Sequence, residues 1–159
     1  MIGSRGRRLA LVATSLAASL ATGGVAAAAA PAVETSSVHI ERAFIDCPSF
    51  AVVGVWDITH RLTLFVDADG TPTRDIERVD FSGRLVNAST GAWVPDSGTR
   101  IFFDTLAADG SFLTTYAVEV RHSQYVHTAG RTDFQTGAFH GRDGFGAGSI
   151  SALCEALGE

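Results

Sequence analysis

Apolar and polar positions alternate along most of this chain with a period of two, and helical spacing is scarce. Val38, Ile40 and Phe44 alternate with His39 and Glu41. Phe50 to Trp56 is a short apolar run, the pattern of a strand buried on both faces. Ile58, His60, Leu62, Leu64 and Val66 then alternate with Thr59, Arg61, Thr63 and Phe65. Residues 74–87 suit a strand with Val79, Phe81 and Leu85 on one face and a bulge at Gly83. That reading is favoured over a short helix capped by Thr71-Pro72. Thr99, Ile101 and Phe103 mark the next strand. The cleanest alternation lies in 111–127, with Phe112, Thr114, Tyr116, Val118 and Val120 on one face and Thr115, Glu119 and Arg121 on the other. Residues 131–135 and 138–140 form a hairpin about Thr136-Gly137, and Ile150 to Leu157 closes the chain as a strand or a helical turn. Asp67-Ala68-Asp69-Gly70, Asn87 to Gly91 and Ala108-Asp109-Gly110 are turns. About seven to nine strands with short connections imply antiparallel neighbours in an all-β domain. A single antiparallel β-barrel is expected, with a β-sandwich as the alternative.

The pattern changes at the N-terminus. Arg5, Arg7 and Arg8 precede an apolar run from Leu9 to Leu20, followed by the tract Ala26 to Ala30. This is the layout of a secretory signal peptide, residues 1–29, with cleavage near Ala29; Ala28 and Ala32 are alternative cuts. The run is too short for a permanent membrane span. Residues 30–37 read as a flexible leader and 38–159 as the β domain. The expected product is secreted and extracellular, has no stable membrane anchor, and contains about 130 residues, the size of one domain. Losing the signal leaves nine arginines against 17 carboxylates, a formal charge of −8 in place of −5 for the whole chain. Such acidity disfavours nucleic acid and anionic lipid as partners. The only two cysteines, Cys47 and Cys154, are expected to form a disulfide after export.

No motif names a chemistry. Asp67-Ala68-Asp69-Gly70 lacks the further ligands of a calcium loop, with Thr71 and Arg78 where oxygen ligands would fall. The glycine-rich stretch 141–148 has no Lys-Ser/Thr pair and no convincing helix after it, so it reads as a turned loop and not a phosphate cradle. No Gly-x-Ser-x-Gly elbow is present. Asn87-Ala88-Ser89 matches a glycosylation sequon, expected to be idle behind a prokaryote-style signal. His122 and His127 fall on opposite faces of a regular strand, against joint metal ligation. Trp56, Phe81, Phe103, Phe112 and Tyr116 are expected in the core, and Trp93, in a turn-rich stretch, is a better candidate for a contact surface than an aromatic on a strand. The candidate ligand contacts are His60, Trp93, Tyr116 and His122. No catalytic residue, metal or cofactor is assigned.

Several local cues travel together: Cys47 before the apolar strand Phe50 to Val55, repeated Asp-Gly and Thr-Gly turns, the segment Gly130-Arg131-Thr132 through Thr136-Gly137, and the terminal Leu153-Cys154-Glu155-Ala156-Leu157. In these the chain resembles small secreted β-rich proteins of GC-rich Gram-positive bacteria that carry no assigned function. The resemblance implies export, a β-fold and the end-to-end disulfide, and transfers no catalytic residue. Two functions follow as expectations. The first is a non-catalytic barrel that binds a small apolar ligand or an extracellular protein. The second is a small cyclase- or isomerase-like enzyme using His60 or His122 with a carboxylate in the barrel lumen.

Overall fold

A computed structural model describes residues 30–158; the expected signal segment, residues 1–29, lies outside them. Seven strands form one antiparallel sheet in sequential order: β1 (Ala32–Asp46), β2 (Ala51–Val66), β3 (Pro72–Asn87), β4 (Trp93–Leu106), β5 (Phe112–Ser123), β6 (Ala129–Asp133) and β7 (Phe139–Arg142). One helix follows, α1 (Ala147–Gly158). The all-β reading holds, and among the described residues a single sheet leaves no second layer for a sandwich. Closure into a barrel is not made, because β1 and β7 pair only inward.

Several sequence expectations change in detail. Residues 32–37 are not a free leader: Ala32 to Ser37 pair with Leu64 to Thr59 of β2. Residues 72–87 are strand, but the register runs unbroken through Gly83; irregularities fall instead at Ala43–Ile45, at Phe65–Val66 and at Thr105–Leu106. The glycine-rich loop does lead into a helix, and that helix carries Cys154. The Cys47–Cys154 disulfide is formed.

Directly opposed residues of an antiparallel sheet share a face. One row runs Ile40, Trp56, Gly83, Asp96, Ser123, and the next runs Val38, Ile58, Phe81, Gly98, Arg121. These rows define the inner face. Trp56, Leu85 and Val94 on it pack with Val126 and with Leu153 and Leu157 of α1. Burial of each large apolar side chain contributes about 1.5–3 kcal/mol. In β2 only Val52, Gly54 and Trp56 are buried, so the apolar run is one-sided rather than buried on both faces.

Glycines let this face curve under its aromatic rings. A Cβ at Gly54 would lie 1.7 Å from the Trp56 ring, and one at Gly98 would lie 2.6 Å from that of Phe81. Covering strand glycines with neighbouring aromatics is a recurrent way to stabilise a bent sheet. The bend brings the sheet's two sides together at the α1 end, where the Phe44 ring of β1 lies 5.8 Å from that of Phe145, in the loop before α1.

Candidate functional site

At the closed end of the inner face one carboxylate organises three strands. Asp96 (β4) accepts from Trp56 Nε1 (β2) at 2.6 Å and from Arg121 Nε and Nη2 (β5) at 2.8 and 2.5 Å. Asp96 and Arg121 are buried. The guanidinium lies 4.6 Å from the Phe44 ring centre and 5.4 Å from those of Phe81 and Phe145. Carboxylate and aromatic faces take the place of water around this buried guanidinium. This arrangement is saturated and closed, so it serves structure.

The open end of the inner face carries a second polar set. His60 Nδ1 lies 2.7 Å from Glu77 Oε1, with side chains 22% and 19% exposed. Arg100 pairs with Glu119 through Nε at 2.7 Å and also through Nη2. Asp75 and Asp104 stand opposite each other on β3 and β4. Among the described residues no cluster of His, Cys, Asp and Glu is arranged to hold a metal.

The outer face is where apolar residues meet solvent. On β5 the sides are reversed from what residue type suggests. Thr115, Ala117, Arg121 and Ser123 are buried, while Phe112, Val118 and Val120 are 47%, 37% and 39% exposed. Phe112 therefore leaves the expected core, and Phe103 and Tyr116 are half-buried on this outer face. Their rings stack with centroids 4.7 Å apart. Ile76, Phe103 and Tyr116 form one row across β3–β5, and Ile101 and Val118 continue it in the next. Arginines rim the patch: Arg131 lies 4.2 Å from the Tyr116 ring centre and Arg74 lies 4.0 Å from that of Phe65.

Charge divides between the faces. Arg61, Arg74, Arg78, Arg84, Arg131 and Arg142 lie on the outer face, against Glu41, Asp46, Asp57, Asp80 and Asp133. Arg61 even stands directly opposite Arg78, a like-charge pairing that costs stability in a sheet. Arg78 is held by Asp80 through Nε and Nη2 at 2.7 and 2.9 Å. Those hydrogen bonds, together with one from Thr99, hold the Asp80 carboxyl below its ordinary pKa against the opposing effect of partial burial. An acidic chain thus gathers six of its arginines on one apolar-centred face, nearly balanced there by carboxylates.

The four residues expected to contact a ligand do not converge. His60 is on the inner face, and Tyr116 and His122 are on the outer face of β5. Trp93 begins β4 at the far end of the outer face, 58% exposed. His122 and His127, separated on a regular strand, line one shallow cavity of about 380 Å³ with Arg142, because the chain leaves β5 after Ser123. Asp67 Oδ1 accepts from the backbone of Asp69 and Thr71 at 3.0 and 2.9 Å, the geometry of a closed hairpin turn. The sequon residue Asn87 is buried and donates to Leu157 O at 2.9 Å, so its amide is committed to docking α1. Comparison with known protein families, characterised proteins and solved structures finds no match for this chain.

Proposed function

We propose that this protein is exported and works as a non-catalytic interaction module. In this reading the outer face of β3–β5 docks an extracellular protein whose surface is apolar at its centre and acidic at its rim. The observation that carries the reading is the exposed side of β5, where Val118 and Val120 adjoin the stacked Phe103 and Tyr116 beside Arg131. Contiguous exposed apolar surface marks interaction sites, and Tyr, Phe and Arg are enriched where protein partners bind. A photo-crosslinking residue at Val118 in the exported protein is expected to capture a second protein. The same probe at exposed Ala68, in the β2–β3 turn, is expected to capture none, and Arg131→Glu is expected to abolish capture at 118. No protein product at 118, or equal yields at 118 and 68, would overturn the proposal.

The His60–Glu77 contact favours a second reading, in which the curled sheet is an incomplete barrel whose open end receives a small ligand. A carboxylate orienting an imidazole is the pairing that acid–base chemistry requires. A native mass above the sum of the denatured chains it contains, with the excess lost in His60→Ala, supports this reading. A native mass that is a whole multiple of the denatured chain mass counts against it.

A further inference from the structure

From the outer edge of β1 we infer that this protein forms a two-fold dimer through that strand, joining two sheets into one. Among the described residues β1 ends the sheet, with no strand on its outer side. It is 15 residues long, whereas β7 at the other edge has four. From Ala32 to His39 it is exposed on both faces, Val33 and Val38 to 53% and 45%. Natural edge strands are guarded by proline, by charged side chains, lysine above all, by bulges or by shortness. Between Ala32 and Arg42 there is no proline, no lysine and no irregularity, which comes only at Ala43–Ile45; the inward-facing charges there are Glu34 and Arg42, of opposite sign. A row of backbone donors and acceptors left in this state is a template for another strand.

The occupant is a second copy of β1, and charge selects its register. In an antiparallel pairing centred on Val38, each Glu34 faces the Arg42 of the other copy, each Ser36 faces Ile40, and Val38 meets Val38. Both charged residues are exposed on the inner face and so point to one side of the joined sheet. Shifting the centre by one residue would set Arg42 against Ala32 or Ser36, and shifting it by two toward the C-terminus would set Arg42 against Val38, so each of these registers loses both Glu34–Arg42 pairs. The two-fold axis stands perpendicular to the sheet, so both outer faces lie on one side of the dimer.

Sedimentation velocity of the exported, disulfide-bonded protein tests this. The wild type is expected to dimerise. Glu34→Arg and Arg42→Glu should each weaken the dimer about tenfold, since each reversal sets like charges together twice. The double swap, Glu34→Arg with Arg42→Glu, should restore it. Hydrogen exchange provides a check without variants: amide protection over residues 34–42 should rise with protein concentration. A monomer across the concentration range, a dimer indifferent to both single reversals, a double swap that does not recover, or unchanged exchange in 34–42 would each overturn the inference.

Discussion

Asp96 is the side chain on which three strands depend. Its two oxygens take every polar hydrogen that Trp56 and Arg121 direct at it in the interior. Replacing it with alanine would leave a buried guanidinium without its counter-charge. Asp96→Ala is expected to lower unfolding free energy by about 3–5 kcal/mol in urea titrations. Replacing the pair together, Asp96→Leu with Arg121→Met, should cost less than Asp96→Ala alone, because no buried charge remains. Asp80 gives a prediction of opposite character, since it is exposed enough to be screened. Its carboxyl is held below the ordinary value by the hydrogen bonds from Arg78. Its contribution is therefore complete above the unfolded-state pKa and is lost as pH falls through the folded-state value. Asp80→Asn should flatten the decline of stability with acid below about pH 4, as followed by thermal melts across pH. An acid limb identical to that of the wild type would refute this.

At the scale of elements, β3 and β5 show how a sheet depends on what opposes each position. Gly83 sits opposite Trp56, and a Cβ there would lie 2.0 Å from Val55 O, a backbone atom that cannot swing away. Gly83→Ala is expected to cost about 3 kcal/mol, the upper end of overpacking penalties, or to prevent folding. Gly146→Ala, with nothing within 4 Å of the new Cβ, should stay within about 0.5 kcal/mol of wild type. Chemical denaturation of the two variants side by side checks the pair. On β5 the alternation was legible and its orientation was not. A period of two separates two faces without saying which one turns inward. The apolar side of β5 was the natural choice for the core. It faces outward because the sheet already presents Phe102, Trp56 and the Asp96 carboxylate on the other side, and Arg121 is required there. The strand nature of 72–87 and the hairpin at Thr136-Gly137 were readable because turn residues and alternation agreed. Gly83 was misread as a bulge because a strand glycine marks either a bulge or a close approach, and only the opposing Trp56 decides between them.

For the whole molecule the disulfide is the longest covalent constraint, joining residues 107 apart in sequence and fixing α1 to the β1–β2 connection. In the chain-entropy model a loop of this length stabilises by about 4–5 kcal/mol. The Cys47→Ser, Cys154→Ser variant should lose about that much in guanidinium unfolding. Leu153 and Leu157 remain as apolar anchors for the helix. A loss of only a few tenths of a kcal/mol would mean that packing alone docks α1.

The sequence alone determined the class of this protein, because alternation, turn residues and a pair of distant cysteines are local signals that survive without coordinates. It also held the means to find the inner-face network, in the odd placement of Arg121 and Asp96 on strands otherwise rich in apolar residues. It offered no way to join them, since they lie 25 residues apart and meet only across a strand pairing. Only the tertiary structure decided that the sheet stays open, that His60 parts company with Trp93, Tyr116 and His122, and that arginines gather on one face of an acidic chain. Each of these follows from register and curvature. Those are properties of strands relative to one another, and no single strand carries them.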